Sequence, residues 1–159
     1  MKMKKVLAAL LAGMFVLAGC GNQTETVDMP LEDIMTMVYE DLPEEQTPMM
    51  LENTEVTAEN IEYYLGTADL DYERALASES GVGSIAHSVV LVKAAENADI
   101  AAMEQAIREN VDPRKWICVG VDPKDVIVDH AGDVIILILE EDSSARDTLY
   151  QGFQKLNKQ

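Results

Sequence analysis

Six consecutive apolar residues, Val134-Ile135-Ile136-Leu137-Ile138-Leu139, constrain this chain more than any other segment. A short run with no polar position leaves no face for solvent, so it reads as a central strand covered on both sides. Val126-Ile127-Val128-Asp129 lies just upstream and pairs with it as a hairpin about His130-Ala131-Gly132-Asp133. Gly132 can take a left-handed turn position there that Ala131 would resist. Downstream, Glu140-Glu141-Asp142-Ser143 places acidic charge and a cap at the start of a final helix with the stripe Ala145, Leu149, Phe153 and Leu156.

The rest of the pattern supplies partners for that strand. Leu31, Ile34, Met35 and Val38 follow helical spacing, predicting a helix over 29–41 that Pro43 ends. Residues 49–56 read as a short strand. Thr57 is placed to cap a short helix ending at Gly66, and 70–80 reads as a strand, with a helix as its rival. Gly81-Val82-Gly83 is a flexible break. His87–Ala94 (HSVVLVKA) is a β-branched strand, and Asn97 opens a helix carrying Ile100, Met103, Ile107 and Val111. The closing order β-β-α-β-β-α implies an α+β fold, an antiparallel sheet of about four to five strands packed against helices.

Composition matters for the two ends of the chain. Met1–Lys5 (MKMKK) is basic, and the apolar run over 6–17 is about a dozen residues, the length of a signal core; a membrane span needs roughly 20. Leu17-Ala18-Gly19-Cys20 follows, a lipobox-like cleavage motif in which Cys20 receives the lipid. The expected organisation is a lipoprotein signal peptide (1–19), a lipidated Cys20 with a polar tether (20–27), and one globular domain (28–159). Two acyl chains give stable anchoring where one is marginal. Loss of residues 1–19 removes three lysines and moves the formal charge from −17 to −20 over 140 residues. Such an acidic chain has no surplus cations to displace counterions from nucleic acid. With Cys20 acylated, Cys118 is left as the one free thiol, expected as a small buried hydrophobe.

Three segments give a resemblance. The strand Ala86–Ala94 ending in Lys93-Ala94, the helix over 97–110 and the strand start Gly132-Asp133-Val134 leading into Leu139 occur in that order behind the lipobox. Together they resemble the bacterial lipoproteins grouped as domain-of-unknown-function family 4358, over roughly 28–156. Members often carry two acids where His87 and Ser88 stand, and an aromatic where Val134 stands. The resemblance implies an address, the outer face of a bacterial, Gram-positive cytoplasmic membrane, and a fold. It implies no activity.

Candidate chemistry is sparse. His87 and Ser88 are adjacent in a predicted strand and so point to opposite faces, which does not build a nucleophile–base pair. No other catalytic constellation is visible, and the chain is expected to be neither an enzyme nor a cofactor carrier. The acids of Asp69–Glu73 lack the glycine and glutamate of a calcium loop. Asp129, His130 and Asp133 are weak metal candidates at the hairpin tip, with ordinary turn chemistry the preferred reading. Met35 and Met103 fall on core stripes, whereas Met49-Met50 has no assigned role. Glu44, Glu45, Glu52, Glu55, Glu59 and Glu62 crowd the N-terminal third as a solvated, repelling surface. The expected function is a membrane-anchored, non-catalytic binding or interaction module for a protein or envelope partner. The alternative is an accessory solute- or metal-handling lipoprotein.

Overall fold

The computed structural model describes residues 25–158. The expected signal segment with Leu17, Ala18 and Gly19, the lipidation residue Cys20, and tether residues 21–24 lie outside the described residues. The elements are α1 (Leu31–Tyr39), β1 (Leu51–Val56), α2 (Ile61–Leu65), β2 (Tyr72–Ser80), β3 (His87–Ala94), α3 (Ile100–Asn110), β4 (Ile127–Ala131), β5 (Val134–Glu140) and α4 (Ser143–Gln154). Short 3-10 turns fall at Glu44–Gln46, Pro123–Asp125 and Lys155–Lys158. The five strands form one antiparallel sheet in the order β1-β2-β3-β5-β4. The chain is α+β, as its pattern implied.

β5 is buried at every position. Its alternate side chains serve two separate cores. Ile135, Leu137 and Leu139 join Ala75, Val90 and Val92 beneath α2 and α3, with Trp116. Val134, Ile136 and Ile138 join Val89 and Leu91 beneath α1 and α4. Burying a side chain of this size is worth about 2 kcal/mol, so neither face of β5 could be left to water. The two helices of the second layer meet closely. A Cβ added at Gly152 of α4 would lie 2.5 Å from the Val38 carbonyl oxygen of α1.

Several boundaries differ from the pattern reading, each for a local reason. α2 starts at Ile61, not at a Thr57 cap: the Asn60 side chain instead accepts from the Thr57 amide at 2.7 Å, a tight turn ahead of the helix. α3 starts at Ile100 because Asp99 caps it, accepting from the Ala102 amide at 3.0 Å. Asn97 takes φ 66°, outside any helix. The hairpin turn is only Gly132-Asp133; Ala131 is the last residue of β4, paired with Val134, and Gly132 takes the left-handed position at φ 54°. Asp142 caps α4 through the Ala145 amide, while Glu140, expected among the helix-start acids, closes β5. Cys118 is exposed and left-handed (φ 63°), not a buried hydrophobe. The neighbouring Trp116 fills the core position instead.

The chain enters the sheet through a strap. The Val27 amide donates to Asp133 Oδ1 at 2.9 Å, and Lys93 Nζ donates to the Val27 carbonyl at 2.7 Å and to Asp133 Oδ1 at 2.8 Å. A Cβ at Gly132 would lie 2.3 Å from the Glu25 carbonyl oxygen, so glycine also admits this passing backbone. Among the described residues no helix is long and apolar enough to cross a membrane.

Candidate functional site

The strap marks one end of the sheet. At the other end, β3 begins at His87, six residues from Lys93 and so roughly 20 Å away along the strand. Two buried polar clusters, about His87 and Lys115, and the most exposed large apolar side chains lie there.

His87 is fully buried and faces the α1/α4 layer. Register places it opposite Glu140 at the end of β5. Its Nδ1 lies 2.5 Å from Glu140 Oε2, and its Nε2 lies 2.6 Å from the Tyr39 hydroxyl of α1. A carboxylate can only accept, so Nδ1 donates to Glu140; in the neutral form of the ring, Nε2 accepts from Tyr39. Glu140 Oε1 accepts from the Asp142 amide at 2.7 Å. Burial pushes the Tyr39 phenol well above its ordinary pKa and the Glu140 charge adds to this, while the Ser78 hydroxyl opposes it. Ser78 Oγ is itself buried and has no partner in good hydrogen-bond geometry. It forms part of an open groove of about 500 Å³ lined by Met35, Thr36, Tyr39, Glu40, Leu51, Asn53 and Ser78. The acid–histidine–hydroxyl order is that of a nucleophilic triad, yet its hydroxyl is a phenol held protonated. The arrangement offers the groove a polarised hydrogen-bonding oxygen rather than an anion.

Ser88 points the other way, as strand alternation required. It meets Lys115, whose Nζ is 2.6 Å from Glu79 Oε2 and 3.4 Å from Ser88 Oγ. The ammonium lies 4.2 Å from the Tyr63 ring centroid, 4.9 Å from Tyr64 and 5.2 Å from Trp116. Burial pushes the Lys115 pKa down, against the pull of Glu79. An ion pair under an aromatic lid is favourable only because both charges are satisfied. This plug holds the loop after α3 against the sheet.

Above the plug the loops form an apolar apex. The Gly81 amide donates to the Met50 carbonyl, and the Ile117 amide donates to the Gly83 carbonyl, both at 2.8 Å. Ile117 (71% exposed), Met49 (68%) and Met50 (64%) are the most exposed large apolar residues described. Met50 and Cys118 both have positive φ, at 53° and 63°. For side chains with a Cβ this costs about 1 kcal/mol or more and persists where neighbours impose it. Met50 and Ile117 thus flank one turn, their side chains against Gly81 and Gly83, an arrangement that spacing alone could not show.

The metal candidates separate. Asp133 belongs to the strap and is paired with Lys93 at 2.8 Å. Asp129 and His130 are joined instead by Glu104 of α3. Pattern reading missed Glu104, Glu140 and Tyr39 because each meets its histidine only through tertiary packing. No family model matches this chain, and no curated protein or solved structure matches it.

Proposed function

We propose that the chain is a lipoprotein anchored through Cys20 to the outer face of a bacterial cytoplasmic membrane, and that its folded domain is a non-catalytic binding module. One observation carries the binding reading: an exposed apolar apex, built on two left-handed non-glycine residues, stands at the sheet end opposite the strap. Strain and solvent-exposed apolar side chains both cost stability, and their coincidence at one loop cluster marks a surface kept for contact. The lipobox-like Leu17-Ala18-Gly19-Cys20 supports the address. A tether entering at the strap presents the apex away from the lipid. The partner is a protein or envelope component whose surface is apolar where it meets Met49, Met50 and Ile117.

The test is capture from native membranes with the full lipidated chain, compared with Ile117→Asp and Met49→Asp. Both positions are exposed, so the variants should fold. A partner retained by the wild type and lost by both variants is expected; equal capture by all three would remove the apex from the reading. Cys20→Ala should abolish labelling by a radioactive fatty acid, and normal labelling of that variant would refute the anchor. The alternative, an accessory metal-handling lipoprotein, draws its support from the Glu104, Asp129 and His130 cluster.

A further inference from the structure

We infer that Glu104, Asp129 and His130 form a binding site for a zinc-class divalent cation at the free edge of the sheet. One ligand atom from each lies within 4.8 Å of the other two. His130 Nδ1 is already 3.0 Å from Glu104 Oε1. Ligands sharing a tetrahedral zinc at about 2.1 Å sit roughly 3.4 Å apart. The three therefore need to close by little more than 1 Å, within the range of a side-chain torsion.

Rigid elements hold the ligands. Glu104 is on α3, and Asp129 and His130 are consecutive on the edge strand β4; they leave it toward α4 and α3 respectively, yet their ligand atoms lie within 4.8 Å of each other. Arg108, one turn beyond Glu104, donates to the Val128 carbonyl and so fixes α3 against β4 beside the cluster. Tyr150 of α4 donates to Asp129 Oδ2 at 2.5 Å. That bond orients the carboxylate while leaving its other oxygen free, as outer partners of metal ligands do.

The electrostatics are also unbalanced. Among the described residues neither Glu104 nor Asp129 is ion-paired to a lysine or arginine: the nearby Arg108 donates to the Val128 carbonyl instead, and the basic group paired with Glu104 is His130. Asp133, two residues from Ala131 at the same hairpin, has its charge met by Lys93. Two carboxylates and an imidazole make a donor set suited to zinc and its transition-series neighbours. Calcium asks for six to eight oxygens, which three side chains do not supply. Solvent would complete the coordination, as His130 is on the surface.

The site stands independently of the apex. Its test is titration of the full chain in detergent with zinc chloride, followed by calorimetry and by the amide resonances of Glu104, Asp129 and His130. One saturable equivalent is expected, with shifts centred on those amides. His130→Ala and Glu104→Gln should each weaken binding by at least about tenfold, and Tyr150→Phe by roughly tenfold through Asp129. Asp133→Asn should bind as the wild type does. Circular dichroism checks that each variant is folded. No saturable heat up to about 1 mM zinc would overturn the site. So would undiminished binding by a folded His130→Ala, because the ion would then be resting on other surface acids.

Discussion

Gly152→Ala sets two effects of opposite sign against each other. Glycine within a helix is worse than alanine by up to about 1 kcal/mol, so local propensity predicts that the substitution stabilises α4. Packing predicts the reverse. The new Cβ would lie 2.5 Å from the Val38 carbonyl oxygen, 2.9 Å from Val38 Cα and 3.0 Å from the Met37 carbonyl oxygen. An ordinary carbon–oxygen contact is about 3.3 Å, so α1 and α4 must separate by roughly 0.8 Å. A gap of that size forfeits a quarter to a half of each dispersion contact along the seam. The seam holds Ile34, Met35 and Val38 against Ala145, Leu149 and Phe153. The obstacle is main chain, which cannot rotate aside, so the upper end of the overpacking range applies, about 3 kcal/mol. The net is a loss of about 2 kcal/mol, or roughly 8 °C in Tm for a domain of this size. Thermal and urea unfolding of the wild type, Gly152→Ala and the exposed control Ser144→Ala would measure it. The control should stay within about 0.5 kcal/mol. A Gly152→Ala protein as stable as the wild type, or more so, would refute the close approach of the two helices.

Glu140→Ala leaves the His87 ring N–H and the Asp142 amide without acceptors in a buried setting; about 3 kcal/mol should be lost in urea unfolding. Tyr39→Phe removes one hydrogen bond from the same relay and should cost about 1 kcal/mol. The pH profile follows from the tyrosines. Tyr39, Tyr63, Tyr64 and Tyr150 all titrate above their ordinary value, chiefly by burial in the first three and by the Asp129 hydrogen bond in the last. The unfolded chain therefore releases these protons first, and the stability they confer, intact below pH 10, is lost as pH rises through their folded values. Lys115, pushed down by burial, contributes oppositely, with stability rising toward 10.5. Urea midpoints should fall between pH 10 and 11 and fall less steeply in Tyr39→Phe. At the acid end, Arg74 holds Glu32 down to about 2, so Glu32→Gln should flatten the loss of stability between pH 4.5 and 2.

Patterns confined to one element were legible in the sequence. The all-apolar Val134–Leu139 run required cover on both faces and has it; the α1 stripe is buried at all four expected positions. Relations between distant elements were not legible. His87 meets Glu140 because β3 and β5 pair in one register out of several that their apolar side chains would accept. Glu104 replaces Asp133 beside His130 because α3 crosses that edge, while the strap occupies Asp133. Cys118 misled because an apolar neighbourhood suggests burial, whereas a left-handed turn there sends Trp116 inward and leaves Ile117 and the thiol outside. The binding reading depends on that turn, which no periodicity announces.

The strand order also sets a timetable. β4 and β5 are joined by two residues, and β2 and β3 by a loop of six, 81–86. These pairings can form early, because closing short loops costs little entropy. The β3–β5 seam is different. Its contacts span 40 residues at Lys93–Asp133 and 53 at His87–Glu140. It is the sheet contact at which two separately formed halves must find each other, and loop closure there is paid before packing rewards it. Folding should therefore be slowed by truncations along that seam, such as Val90→Ala or Leu137→Ala, and little affected by those in β1, which would act on unfolding instead. The strand that gives the finished molecule both of its cores is then paired early along its β4 side and last along its β3 side.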